Sequence, residues 1–185
     1  AMEYGFKYHS RHNKGVLKKA GNIRSLFPRT EGEFILILDA DFTPRADILR
    51  NIMPYFRDPK LAILQTPQFF VVDKSMGWVQ RGASTIQELF YRLIQVNRDY
   101  FGAAICVGTN AVYRRKALEP LGGTYPIEHS EDVHTGFWCI KNGWKIKYIP
   151  INLSSGLCPD NVRSYISQQY RWCSGSTSLM LNKKL

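Results

Sequence analysis

Five uninterrupted apolar residues, Phe34-Ile35-Leu36-Ile37-Leu38, run straight into Asp39-Ala40-Asp41. A run this short and without alternation reads as a strand covered on both faces, the kind found in parallel or mixed sheets. Open α/β sheets hold their ligands in the loops beyond the carboxyl ends of such strands. Carboxylates at i and i+2 of an extended segment point to one side, where they can hold a hard divalent cation that neutralises a diphosphate. A strand-to-helix turn with capping aspartates is the plainer account, and D-x-D alone does not decide between the two.

The remaining pattern fits the same architecture. Tyr4 to Asn22 reads as loop leading into a short helix. Thr43-Pro44 supplies an N-cap and first-turn proline for a helix running to about Phe56. Leu61–Gln65, Phe69–Val72 and Asn110–Tyr113 read as strands. Ile86, Leu89, Phe90, Leu93, Ile94 and Val96 recur at helical spacing, which predicts one long amphipathic helix from Trp78 to Tyr100. Glu131–Asn142 is helical with Gly143 closing it, and Trp144–Ile149 alternates like a strand. A last helix begins near Asp160 or Asn161. This alternation predicts an α/β fold with one central sheet, and 185 residues suffice for one domain with a sizeable core.

Charge narrows the partners. Twenty-five Lys and Arg against 15 Asp and Glu give a net charge of +10, which suits nucleic acid, an anionic membrane surface or a phosphorylated substrate. The basic residues are scattered, with local clusters at Lys7–Arg11, Lys14–Lys19 and Lys183-Lys184. Without a long basic tract or a stacked-aromatic basic motif, nucleic acid is not the expected partner. Cys106, Cys139, Cys158 and Cys173 form no C-x-x-C pair and read as reduced thiols. The opening Ala1-Met2-Glu3-Tyr4 has no apolar core of a signal peptide, and no stretch reaches the ~18 apolar residues of a membrane span.

Four further groups of residues can carry chemistry. Lys19, in Lys18-Lys19-Ala20-Gly21-Asn22, can reach phosphate as a point charge, and Asn22 can pair with a ribose or base edge; a solvated basic loop is the alternative. Glu131-Asp132 opens a helix, where capping alone accounts for carboxylates and where a catalytic carboxylate above a sheet would also sit. Gln168, Arg171 and Trp172 fall at i, i+3 and i+4 and share one helix face. That face offers a fork for phosphate and a flat surface for a sugar, or else a Trp in a core and an Arg in an ion pair. Gly108, within Cys106-Val107-Gly108-Thr109-Asn110, allows close backbone approach to a ligand or a tight entry into a strand.

Together these segments resemble the processive family-2 glycosyltransferases, and within them the cellulose synthase catalytic subunits. The matching pieces, in order, are Lys19-Ala20-Gly21-Asn22, Asp39-Ala40-Asp41, Thr66-Pro67-Gln68, Gly108-Thr109-Asn110-Ala111, Glu131-Asp132 and Gln168-x-x-Arg171-Trp172. The resemblance implies a GT-A-type, Rossmann-like mixed sheet flanked by helices, with residues 1–185 forming part of a catalytic domain. It implies that Lys19, Asn22, Asp39, Asp41 and Arg171 bind the donor, Lys19 and Arg171 at its diphosphate, and that Asp39 and Asp41 hold Mg²⁺ or Mn²⁺. Asp132 is the implied general base, and Gln168, Trp172, Glu131, Gly108 and Thr109 the implied acceptor contacts.

The implied reaction is single-displacement transfer of glucose from UDP-glucose to the end of a growing β-1,4-glucan. Its implied partners are a UDP-sugar donor, a growing glycan acceptor and a membrane-embedded remainder of the protein. The domain's opening strand and a further aspartate are expected upstream of Ala1, and interfacial and membrane-spanning helices downstream of Leu185. The full protein is then expected at the cytoplasmic face of the plasma membrane, with this fragment soluble. One departure stands out: cellulose synthases place the cysteine directly before the glycine, whereas Val107 separates Cys106 from Gly108 here. The alternatives are a synthase of chitin, hyaluronan, mannan or β-1,3-glucan, or a non-catalytic nucleotide- or glycan-binding fragment.

Overall fold

A computed structural model describes residues 2–181; the Lys183-Lys184 cluster lies outside them. The chain builds a four-stranded mixed sheet in the order β1-β5-β3-β6, from β1 (Phe34–Ile37), β3 (Leu61–Gln65), β5 (Ala111–Arg114) and β6 (Lys145–Tyr148). β5 runs antiparallel to both β1 and β3, whereas β3 and β6 are parallel. A second sheet of three short strands joins β2 (Thr43–Pro44), β7 (Ser154–Gly156) and β4 (Phe69–Phe70) in the order β2-β7-β4, where the sequence predicted one sheet only.

Strand alternation divides the core between the two faces of the larger sheet. Ile63, Ala111, Tyr113, Ile146 and Tyr148 enter one apolar cluster, and Leu61, Leu64 and Val112 enter the other. An irregularity between Leu61 and Ile63 lets both Ala62 and Ile63 face the first cluster. The apolar run of β1 also serves both faces, Ile35 and Ile37 packing on one and Phe34 and Leu36 on the other. Each is only half-buried, because β1 is an edge strand of the sheet. Arg114 locks this edge to its neighbours: its guanidinium donates to the carbonyls of Phe56, Asp58 and Leu61 and lies over the rings of Phe34 and Phe56.

Helices α1 (Lys18–Leu26), α2 (Ile48–Ile52), α3 (Trp78–Leu89), α4 (Gln95–Tyr100), α5 (Arg115–Leu118), α6 (Glu131–Lys141) and α7 (Val162–Leu181) complete the fold. Two differ from the sequence reading. Thr43-Pro44 does not open a helix; it pairs with Ser154-Ser155 at the edge of the small sheet, a place that tolerates a residue without an N–H. Helix α2 begins four residues later, behind Asp47, and gives way to a 3₁₀ turn over Met53–Arg57.

The long helix spans the predicted residues, with α3 and α4 joined by a π-helical turn at Phe90–Ile94. Most of its apolar stripe is outward, however: Ile86, Leu89, Leu93, Ile94 and Val96 are exposed and only Phe90 packs half-buried against the core, while Ala83, Ser84, Gln87, Tyr91 and Gln95 are buried. The buried amide of Gln95 is satisfied reciprocally, donating to the Ile105 carbonyl at 2.7 Å and accepting from the Ile105 N–H at 3.0 Å. Its amide can thus be buried without being left unpaired. Among the described residues no helix is long and apolar enough to cross a membrane.

Candidate active site

Asp132 is the second residue of α6, and the turn ahead of it fixes its position. Ser130 is left-handed (φ 54°), and its carbonyl accepts from the His134 N–H at 3.1 Å and from Nδ1 of the fully buried His134 at 2.9 Å. The Asp132 carboxylate accepts from the Val133 N–H at 2.8 Å. Burial raises the proton affinity of Asp132 above the ordinary carboxylate range, and the positive charge of Lys19 opposes that rise. Neighbouring Glu131 is pushed up to about 7, by burial first and then by the charge of Asp132. Both carboxyls open the helix as predicted.

The Lys19 ammonium lies 2.5 Å from Asp39 Oδ1. Both charges act on Asp132, which brings three segments well separated in the chain to one place. The connector is the Cys106–Asn110 loop. Gly108 (φ 80°) backs directly onto the Asp132 side chain, and buried Thr109 accepts from the Asp39 N–H through Oγ1 at 2.8 Å. Gln65 holds the loop from below, its amide donating to the carbonyls of Thr66 and Thr109 and accepting from the Val107 N–H. Gly108 and Thr109 therefore brace the two carboxylates in this structure. Cys106 is sealed inside, its Sγ 3.0 Å from the Tyr113 hydroxyl, and burial pushes its thiol up to about 12.

Asp39 and Asp41 do not follow an extended strand. The Phe42 N–H donates to the Asp39 carbonyl at 3.0 Å, so the two aspartates are the first and third residues of a tight turn. Asp41 is exposed. Among the described residues no cluster of three or more His, Cys, Asp or Glu side chains could hold a metal. Two carboxylates nevertheless suit a cation that takes one or two protein ligands and completes its shell with substrate phosphate and water. Asn22 is engaged elsewhere, its Oδ1 accepting from Arg11 Nε at 2.7 Å.

A cavity of about 350 Å³ opens beside Asp132, between the α3–π turn, the start of α6 and the middle of α7. The face that α7 turns to it is Gln169, Trp172, Cys173 and Ser176, spaced i, i+3, i+4 and i+7. The face predicted from sequence was Gln168, Arg171 and Trp172. Of these only Trp172 lines the cavity; Gln168 is half-buried outside it, and Arg171 is exposed without a hydrogen-bond or ion-pair partner among the described residues. Gln68 and Gln87 line the opposite wall, and Val107 stands beside the cavity where a cysteine was the family pattern. Gln169, Gln87 and Gly175 were missed in the sequence. The i, i+3, i+4, i+7 stripe was the available signal for the first.

Gly175 explains how α7 reaches this position. A Cβ at Gly175 would collide with Ser130 Oγ, so the bare backbone lets α7 rest on the turn that carries Asp132.

A profile of the glycosyl transferase family group 2 matches residues 34–184. The cellulose synthase catalytic subunit [UDP-forming] of Komagataeibacter sucrofermentans is 36% identical over 161 residues, covering 85% of this chain and 21% of that protein. The corresponding subunit of Pseudomonas fluorescens is 34% identical over 174 residues, covering 91% of this chain and 23% of that one. The chain thus spans about a fifth of the length of these relatives. Among solved structures, a mannosyltransferase from Pyrobaculum calidifontis in complex with GDP-Man and Mn²⁺ superposes with a TM-score of 0.62 at 22% identity, over 92% of this chain and 43% of that one. That likeness places the fold among GT-A glycosyltransferases.

Proposed function

The chain belongs to glycosyl transferase family group 2, and we propose that it is part of the catalytic domain of an inverting, processive synthase that adds glucose from UDP-glucose to a β-1,4-glucan. The observation that carries this reading is the placement of Asp132. Its half-buried side chain lines the cavity that Trp172 helps to wall, and the Lys19–Asp39 pair lies close enough to act on its charge. Similarity to cellulose synthase catalytic subunits supports the choice of donor and product.

In this mechanism the acceptor sugar enters the cavity and stacks on the indole of Trp172. Asp132 removes the proton from the attacking hydroxyl as that oxygen approaches the anomeric carbon, and its raised proton affinity makes it a stronger base than a solvated aspartate. Lys19 and the guanidinium of Arg171 offset the charge that grows on the departing UDP. Asp39 and Asp41 would hold Mg²⁺ or Mn²⁺, which supplies further charge neutralisation at the diphosphate; the Mn²⁺ in the mannosyltransferase relative supports that role. With one displacement the α linkage of the donor becomes β in the product. The membrane-embedded remainder and the cytoplasmic placement of the full protein belong to the same proposal.

Asp132→Asn in the full-length protein is the test. Glucan formation from UDP-glucose should disappear while UDP affinity in Mg²⁺ stays within a few-fold of wild type. Polymer made at normal rate by that variant removes Asp132 from its role. UDP affinity indifferent both to chelator and to Asp41→Ala removes the cation site.

A further inference from the structure

The glutamines near the site have different fates, and Gln68 and Gln87 line the cavity together with Gln169. Gln65 and Gln95 are fully buried, and both have amides bonded to backbone partners. Gln169 differs. Its Nε2 is buried and has no hydrogen-bond partner among the described residues. Of the buried side-chain atoms in that condition, which include Asn110 Oδ1, Thr124 Oγ1, His134 Nε2 and Ser154 Oγ, only this one belongs to a residue lining the cavity beside Asp132. A buried donor left unpaired is costly, so an orphan on a residue that lines a ligand-sized cavity calls for a partner that arrives with the ligand.

The surroundings define that partner. The cavity walls are largely apolar, with Phe90, Ile86 and Trp172 offering flat or aliphatic surface, and Gln68, Gln87, Asp132 and Gln169 are among the polar residues that line it. A volume of about 350 Å³ is at the small end of ligand sites, which suits the last sugars of a chain. A pyranose has apolar C–H faces for the walls and a rim of oxygens that can accept. Gln169 is one helical turn from Trp172 on the same face of α7, so a sugar stacked on the indole has its rim beside the amide.

We propose that Gln169 is an acceptor-specificity residue, donating from Nε2 to an oxygen of the sugar that stacks on Trp172. This rests on the reading of the cavity as the glycan acceptor site. A site built around a donor rejects analogues lacking the matching oxygen more strongly than an apolar pocket does, since the donor is then left unpaired. Gln169 thus reads the acceptor, whereas Trp172 supplies stacking that tolerates many sugars.

Gln169→Met keeps the length and apolar volume of the side chain and removes the donor. Binding of cellotetraose and of UDP in Mg²⁺ would be measured on the full-length protein, with thermal stability alongside. Loss of one such hydrogen bond weakens cellotetraose about tenfold, with UDP affinity unchanged and the melting temperature of the unliganded protein equal or higher. The parallel Gln65→Met should lower the melting temperature, because it strips partners from a buried backbone loop. Equal cellotetraose affinity in wild type and Gln169→Met overturns the role of Gln169 alone, as does a Gln169→Met protein that melts well below wild type. A wild-type protein that binds UDP but no cellotetraose overturns the acceptor reading of the cavity, and Gln169 with it.

Discussion

Gly108 is packed against Asp132 so closely that a Cβ built on it would sit 2.6 Å from Asp132 Oδ2. The glycine is required twice over: by this contact and by its φ of 80°. In most loops a glycine serves the turn alone. Here the missing side chain is the space that the proposed base occupies.

Gly108→Ala should therefore act on chemistry more than on donor binding. The positive φ costs about 1–2 kcal/mol of stability, and the added methyl displaces the Asp132 carboxylate from its place. Expected in the full-length protein is a fall in glucan synthesis of tenfold or more with UDP affinity little changed, checked by radiolabelled incorporation and calorimetric titration.

The junction of α7 with α6 gives a second expectation. Gly175→Ala forces a methyl into Ser130 Oγ, lifting α7 and with it Trp172 away from Asp132. Ser130→Gly removes the obstructing side chain and relieves a left-handed non-glycine residue at the same time. The double variant should recover most of the stability and acceptor affinity lost by Gly175→Ala alone, a coupling read from a double-mutant cycle. Simple additivity of the two changes would contradict a direct contact.

Protonation of Glu131 should be visible in stability. Its folded value, about 7, exceeds the usual 4.5, so the folded state binds more protons than the unfolded state between those pH values. Stability from this group is present below about pH 4.5 and is lost as pH rises through about 7. Denaturant titrations across that range, without donor or metal, should show this loss in the wild type and a shallower one in Glu131→Gln. Identical pH slopes would place the carboxyl in ordinary solvent.

The four cysteines should separate by reactivity. Cys106, Cys139 and Cys158 are buried, with thiols pushed up to about 12, 12 and 11 by burial, whereas Cys173 is exposed and lines the cavity. A thiol reagent at pH 8 should label Cys173 fast and the others only on unfolding. Attachment of a bulky maleimide at Cys173 should block cellotetraose and spare UDP.

What the sequence determined by itself was local. Apolar runs and turn residues placed β1, β3, β5, β6, α6 and the start of α7, because strand and helix periodicities follow from backbone geometry. Asp132 at the head of a helix and Asp39 at the end of a strand were legible for the same reason. The family resemblance, carried by motifs in a fixed order, agrees with the family found over residues 34–184. Tertiary structure decided which faces were used. The long helix buries Gln87, Tyr91 and Gln95 and exposes its leucines, since partners such as the Ile105 backbone can satisfy a buried amide and periodicity does not register them. It decided that Gly108 and Thr109 brace carboxylates, that Thr43-Pro44 is a strand, and that Gln169 rather than Gln168 meets the cavity. Each depends on contacts between segments far apart in the chain, and no local pattern encodes where such segments meet.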